Sequence, residues 1–208
     1  GGARDGTGVD FDPFETLSAA TVIARRLAGL RELEIVIHDL KIWPALARLT
    51  ALTALTATAF AWDSPCDADT LLPPALAELT LGFADEDDEF QLPRALGALR
   101  GLTHLALCDY ESLVEWRDLG AGVPSVSAEN WAAVAALTRL EELALVCLAI
   151  EDLPPALAAL SRLTRLDLGD ACVEQNIGEA LPGFFDVCAR LPSLRRLELP
   201  AVRHFPDA

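Results

Sequence analysis

Leucine recurs along this chain in the pattern L-x-x-L-x-L, where x is a polar or small residue. The last two apolar positions are two residues apart, so in an extended strand both point to one face and the residues between them to the other. The pattern therefore predicts short strands that bury a single face. It fits at seven places, which are Leu30/Leu33/Ile35, Leu52/Leu55/Ala57, Leu76/Leu79/Leu81, Leu102/Leu105/Leu107, Leu140/Leu143/Leu145, Leu163/Leu166/Leu168 and Leu194/Leu197/Leu199.

The strands belong to an internal repeat. Residues 92–107 read LPRALGALRGLTHLAL, and residues 153–168 read LPPALAALSRLTRLDL. Counted along the sequence, the first leucines of successive copies are 22, 24, 26, 38, 23 and 31 residues apart. In each of these two copies, a segment of the form L-P-x-x-L-x-x-L precedes the strand and turns the chain back. Because so short a unit cannot bury its apolar face alone, the copies are expected to stack into a solenoid.

From about Leu27 to Leu199 the sequence resembles cytosolic leucine-rich repeat proteins of the typical class, whose unit is LxxLxLxxNxLxxLPxxLxx. The resemblance implies an α/β fold, a right-handed leucine-rich repeat solenoid of about seven repeats with a curved parallel sheet on its concave side. The template asparagine, which in that family bonds successive loop backbones, is absent. Since an unpaired buried N–H or C=O costs roughly 1–3 kcal/mol, we expect the loops to use other partners. The replacing residues are His38, Phe60, Ala84, Tyr110, Leu148, Ala171 and Val202.

The pattern also predicts the domain organisation. Residues 1–15 are expected to be flexible, and residues 16–208 to form a single domain with a cap helix at 16–29, repeats from about 30 to 204 and a long insertion at 108–131. Helices are predicted at 128–137, after Ser127, and near 182–191, where apolar residues recur at helical spacing. No capping repeat follows Leu199, so the last strand would be an unprotected edge. The chain contains no methionine, which favours a piece of a longer product.

Charge and cysteine content limit the classes of partner and the cellular location that we expect. The 208 residues include 32 acidic and 16 basic side chains, for a formal charge of −16, which disfavours nucleic acid and membrane surfaces and favours a protein partner with a basic patch. Five scattered cysteines and the lack of N-x-S/T sites favour a reducing, cytoplasmic location, and make a secreted receptor the least favoured class. The cysteines are Cys66, Cys108, Cys147, Cys172 and Cys188.

Motifs for catalysis, metals and cofactors are missing from the sequence. It has no glycine-rich phosphate loop, no H-E-x-x-H and no paired-cysteine spacing. His104 and Cys108 share a strand face, but they are about 13 Å apart, too far for one zinc ion. The acidic run at 85–89 lacks the glycine and ligand spacing of a calcium loop, so we interpret it as a solvated loop that can steer a basic partner. We expect no enzyme activity, no cofactor and no metal.

Positions three and five of each strand are expected to face the concave side. At position three, Glu78, His104 and Glu142 should be consecutive rungs about 4.8 Å apart. A histidine between two carboxylates would make partner binding sensitive to acidification. The alternative is an ordinary exposed cross-strand ion pair, which contributes well under about 1 kcal/mol. Together with Arg165, these residues are predicted to provide polar selectivity.

Phe83 and Val146 are predicted to be apolar anchors at the strand ends. They would form an exposed patch beside the 108–131 insertion, which carries Trp116 and Trp131. The alternative is that both tryptophans fold over these side chains and extend the core.

The resemblance implies a non-enzymatic protein–protein interaction module that binds through the concave surface and adjacent loops. Two alternatives remain at this point. The first is a structural subunit of a cytoskeletal or ciliary axonemal complex, located in the cytoskeleton or axoneme. The second is the substrate-recognition part of a larger enzyme such as a ubiquitin ligase.

Overall fold

The computed structural model describes residues 26–37, 42–59, 72–83, 89–90, 92–109, 125–126, 128–146, 153–169 and 185–199. All seven predicted strands form, and two short strands are added. The described residues contain nine strands, which are β1 (Glu32–Ile37), β2 (Ala54–Ala59), β3 (Glu78–Phe83), β4 (Glu89–Phe90), β5 (His104–Asp109), β6 (Ser125–Val126), β7 (Glu142–Val146), β8 (Arg165–Asp167) and β9 (Arg196–Glu198).

Seven strands form one parallel sheet in the order β1-β2-β3-β5-β7-β8-β9, so each strand lies next to the one from the preceding repeat. The register aligns equivalent template positions. Leu55, for example, pairs with Leu33 on one side and with Leu79 on the other. This stacking of copies with a constant register confirms the predicted solenoid, because side chains equivalent in the repeat become neighbours in space.

The core lies behind the sheet and consists mostly of leucine. The first strand leucine of the five central copies is at most 2% exposed in every case, and these residues are Leu55, Leu79, Leu105, Leu143 and Leu166. Burying one leucine side chain stabilises the fold by about 1.5–3 kcal/mol. The row therefore holds consecutive copies together.

The returning arcs close the core from the other side. The first arc contains a four-residue helix, α1 (Trp43–Leu46), whose Trp43 is 1% exposed. Two later arcs are short 3-10 helices, η1 (Arg94–Ala98) and η2 (Pro155–Ala159), each preceded by proline at its N-cap. Proline suits this position because the first N–H groups of a helix have no partner within it. The L-P segment predicted to turn the chain is thus the start of a tight arc.

Backbone hydrogen bonds connect the starts of successive strands. The carbonyl oxygen of Arg31 accepts the N–H groups of Thr53 and Ala54, at 2.8 and 2.9 Å. The carbonyl of Ala77 does the same for the fourth copy, and the pattern continues to β9. These bonds lie ahead of the strands. The loop positions that lack the template asparagine are outside the described residues, so their partners stay a prediction.

Threonine hydroxyls strengthen every second junction. Thr53, Thr103 and Thr164 belong to the second, fourth and sixth copies, and each donates its hydroxyl to the carbonyl one copy earlier, at 3.0–3.1 Å. The sequence shows this as L-T directly before the strand, a signal that the leucine template does not contain.

Replacing Thr103 by valine is expected to lower the free energy of unfolding by about 1–3 kcal/mol, because valine keeps the shape but loses the hydrogen bonds of the hydroxyl with the carbonyl of Ala77 and with Nδ1 of His104. Urea denaturation followed by circular dichroism measures this. Thr103→Ser retains the hydroxyl and should lie closer to the wild type. A valine variant as stable as the wild type would show that the hydroxyl has no stabilising role.

Part of the predicted insertion packs on the core. Helix α2 (Ala128–Ala135) lies within the predicted 128–137. Its Trp131 is 6% exposed, which places this tryptophan in the core, whereas Trp116 lies outside the described residues. The buried Asn130 accepts the N–H of Leu92 at 3.0 Å through Oδ1, so it ties the insertion to the neighbouring repeat. Strands β4 and β6 form a separate parallel pair.

At the C-terminal end, helix α3 covers residues 185–189, inside the predicted helix. Val187, Cys188 and Leu191 are buried as the helical spacing predicts. Core burial then falls, since Leu197 on β9 is only partly buried and Leu199 is 42% exposed.

Several predictions about domain organisation fall outside the described residues. They are the flexible segment 1–15, most of the cap helix 16–29 and everything after Leu199. The single-domain organisation stays a prediction.

Candidate functional site

The face of the main sheet opposite the leucine core presents the residues at template positions three and five; we call it the open face. Position three forms a continuous row across the sheet, as predicted, with Glu78, His104 and Glu142 consecutive in the register. In order from β1 to β9 the row is Glu32, Ala54, Glu78, His104, Glu142, Arg165 and Arg196. None of the seven is buried, because their neighbours along each strand take the core side.

Arg165 on β8 is held by carboxylates from three strands. Its Nε and Nη2 donate to Oε1 of Glu198 at 2.9 and 2.8 Å, and Nη2 also lies 2.9 Å from Oδ2 of Asp167. Nη1 lies 3.4 Å from Oε2 of Glu142. The hydrogen bond to Glu198, with the charges of all three carboxylates, raises the pKa of Arg165 above its ordinary value. Arg165 therefore organises the face around it.

The leucine template alone did not single out Asp167, Glu198 or Arg196 as parts of this network. Arg196 adds a second guanidinium, with Nε 2.9 Å from Oε1 of Glu198. The side chain of Asp167 is also held by the end of its own strand, since the N–H of Gly169 donates to its Oδ1 at 2.9 Å. The sequence does show residues of opposite charge at positions three and five of adjacent copies. Because the register is constant, such residues become neighbours on the sheet and can form ion pairs.

His104 connects the repeats on either side of it. Its Nε2 lies 3.7 Å from Oε1 of Glu142, and its Nδ1 lies 2.9 Å from Oγ1 of Thr103. Because the Thr103 hydroxyl gives its single hydrogen to the carbonyl of Ala77, we assign the ring proton to Nδ1. In the neutral ring, Nε2 and the Glu142 carboxylate are then two acceptors side by side. A donor from a ligand can be shared by both.

Glu78 is adjacent to His104 in the register, but within the described part of the chain no ion pair joins the two side chains. The predicted row is confirmed. The geometry nevertheless pairs the histidine with one carboxylate, on β7, and leaves Glu78 exposed.

The two predicted apolar anchors occupy different rows of the sheet. Val146 is half-buried and aligns with Cys108 on β5. Phe83 is one position further along its strand, level with Ala59 and Asp109. A shared patch of Phe83 and Val146 stays a prediction.

Gly82 occupies the row of Val146 on the third strand of the sheet. A Cβ atom there would lie 3.1 Å from Oγ1 of Thr58 and 3.6 Å from Sγ of Cys108. The side chains of Thr58 and Cys108 therefore leave little room for a side chain at position 82, and glycine avoids a close contact with them.

Among the described residues, no group of three or more His, Cys, Asp or Glu side chains is arranged to hold a metal ion. The thiol of Cys108 donates to the carbonyl of Leu81 at 3.6 Å, and Cys188 is buried. Burial raises the pKa of the Cys188 thiol, which disfavours its reactive thiolate form. His38, His204 and Cys66 lie outside the described residues. In the part of the chain covered by the structure, no helix has the length and hydropathy to cross a bilayer.

Comparison with known proteins identifies the architecture through structure. The leucine-rich repeat domain of the type III effector XopL superposes with a TM-score of 0.51 at 18% sequence identity, over 94% of this chain and 61% of that one. This chain has the leucine-rich repeat fold. An internalin, InlF of Listeria monocytogenes, matches with a TM-score of 0.48 at 19% identity, over 87% of this chain and 51% of that one.

The leucine-rich repeat likeness concerns the fold alone, since both identities are below 20%. No protein-family model matches the sequence, and neither does any curated protein. The chain spans 51% and 61% of the lengths of the two leucine-rich repeat structures.

Proposed function

We propose that this chain is a non-enzymatic protein–protein interaction module that binds a partner through the open face, the concave side of the predicted solenoid, and through adjacent loops. The observation that carries the proposal is the position-three row, in which charged and hydrogen-bonding side chains from all but one of the seven strands stand on a sheet anchored by buried leucines. The leucines fix the backbone, so the other face can vary without loss of packing and can be matched to a partner.

The residues proposed for polar selectivity are Glu78, His104 and Glu142. Glu78 is exposed, and His104 Nε2 lies 3.7 Å from Oε1 of Glu142, so that one ligand group can contact both side chains. Arg165 is proposed to position Glu142, because its guanidinium is already engaged by three carboxylates. Phe83 and Val146 remain the proposed apolar anchors.

The proposed partner is a protein with a basic patch in the cytoplasm. The formal charge of −16 opposes binding to phosphate backbones and anionic lipid, because like charges repel each other at distances over which salt does not screen them.

The test is affinity capture with two matched double variants. Ala106→Arg with Ala144→Arg places bulk on neighbouring strands of the open face, where both alanines are half-buried. Ala98→Arg with Ala159→Arg makes the same chemical change at exposed positions of η1 and η2 on the outer arcs. Circular dichroism confirms that both variants fold. Proteins retained by the wild type should be lost by the first variant and kept by the second, and the opposite pattern would place binding on the outer arcs.

The identity of the captured proteins separates the two narrower versions of this function. Axonemal or cytoskeletal proteins would indicate a structural subunit. Components of a ubiquitin ligase would indicate the substrate-recognition part of a larger enzyme.

A further inference from the structure

The two ends of the open face differ in how their charges are compensated. Glu32 and Glu34 on β1 and Glu78 on β3 are exposed, and none of them forms an ion pair with a residue that the structure describes. Between these strands, β2 presents Ala54, Thr56 and Thr58, none of which is charged. Because neighbouring strands lie about 4.8 Å apart, the carboxylates of β1 and β3 lie roughly 10 Å apart, on either side of the small uncharged side chains of β2.

At the other end the charges are satisfied internally. Glu142, Asp167 and Glu198 are each in contact with Arg165, and Glu198 also contacts Arg196. The side chain of Asp167 is only 17% exposed. A cationic ligand at this end would have to compete with two guanidinium groups already in place.

We propose that a lysine- or arginine-rich segment of a partner protein docks on the β1–β3 part of the open face. The inference rests on the function proposed above, and it adds the place of binding and the chemistry of the partner. Exposed carboxylates without an internal cation attract a basic ligand without first losing a contact. Ammonium and guanidinium groups supply several donors each for such acceptors.

The difference between the two ends belongs to the open face and not to the sequence as a whole, since residues 1–104 and residues 105–208 each contain sixteen acidic and eight basic side chains. Strand β3 and strand β8, which carries Arg165, are three strand spacings apart, roughly 14 Å and longer than the screening length of about 8 Å in physiological salt. The charge of Arg165 is therefore largely screened at Glu78.

One apolar side chain favours a peptide over a hydrated metal ion at this place. Val36 is 52% exposed and lies two residues beyond Glu34, on the same face of β1. A peptide side chain can bury this surface, whereas an ion surrounded by water makes no use of it.

The experiment measures binding of a fluorescein-labelled decapeptide of alternating lysine and serine by fluorescence anisotropy, with a glutamate–serine decapeptide as comparison. Three variants remove the same formal charge. Glu34→Gln with Glu78→Gln changes the proposed site, and Asp167→Asn with Glu198→Gln changes the other end of the open face. Glu141→Gln with Asp186→Asn changes two exposed carboxylates elsewhere. Thermal melts establish that each variant is folded.

The E34Q/E78Q variant should weaken binding of the lysine peptide by roughly three- to tenfold, since exposed ion pairs are individually weak, and the E141Q/D186N control should stay within about twofold. Equal losses in the site variant and this control would reveal only general attraction to an acidic protein, and would overturn the proposal. A larger loss in D167N/E198Q, or equal binding of the glutamate peptide, would also overturn it. If D167N/E198Q does not fold, the proposal is tested by comparing the affinity of E34Q/E78Q for the lysine peptide with that of E141Q/D186N. Failure of the lysine peptide to bind the wild type would reject the basic partner, while the outcome of the alanine-to-arginine capture would still stand.

Discussion

Replacing Leu107 by alanine is expected to lower the free energy of unfolding by about 2–5 kcal/mol. Leu107 lies at the middle of the main sheet, pairs with Leu81 and Leu145, and all three are fully buried at 0% exposure. Alanine would remove the apolar contacts and leave a cavity that neighbouring leucines fill only in part. Because an interior repeat contacts a neighbour on each side, the loss weakens two junctions at once.

Urea denaturation of Leu107→Ala measures this loss, and Leu27→Ala is the matched control. Leu27 is 42% exposed, so the same chemical change there should alter the free energy of unfolding by no more than about 0.5 kcal/mol. Similar losses in the two variants would contradict the assignment of Leu107 to the centre of a continuous core. With a total stability of about 5–15 kcal/mol typical of domains, partial unfolding of Leu107→Ala at room temperature would agree with the prediction.

Replacing Trp131 by alanine is the second large effect, with an expected loss of about 3–5 kcal/mol. The tryptophan is 6% exposed in α2, and this helix packs against both η1 and η2. Removing the indole would loosen the contact between the insertion and two successive arcs.

This variant also separates the two roles that the sequence left open for Trp131. If Trp131 is a core residue, the Trp131→Ala variant should be less stable, and at temperatures where the chain is folded it should capture the same partner as the wild type. Trp131→Phe retains an aromatic ring and should lose less stability than the alanine variant. Unchanged stability with loss of the captured partner would instead make Trp131 a contact residue.

The main sheet could be predicted because the information for it is local and repeated. A period of two assigns each strand residue to a face, and stacking of equivalent units then aligns the copies. The row of Glu78, His104 and Glu142 follows from these two rules alone, without any side-chain coordinates. The same rules do not say which neighbours a long side chain reaches.

The contacts of Arg165 illustrate that limit. Its position in the row was predicted, yet its engagement by Glu142, Asp167 and Glu198 depends on rotamers and on side chains from three strands. This engagement changes its proposed role from a partner contact to a residue that positions Glu142. For Phe83 and Val146, the register places the two residues one position apart along their strands, and their shared patch stays a prediction.

By itself, the amino-acid sequence determined the repeat, the strands, their buried face and the acidic character of the chain, because each depends on residue type and spacing along one polypeptide. Only the tertiary structure decided which charges are compensated, that the Trp131 indole is buried and that the Thr103 hydroxyl bonds the preceding repeat. The contacts of Arg165 with Glu142 and Glu198, and of Thr103 with Ala77, join residues 23 to 33 positions apart in the chain, and such distances are set by packing.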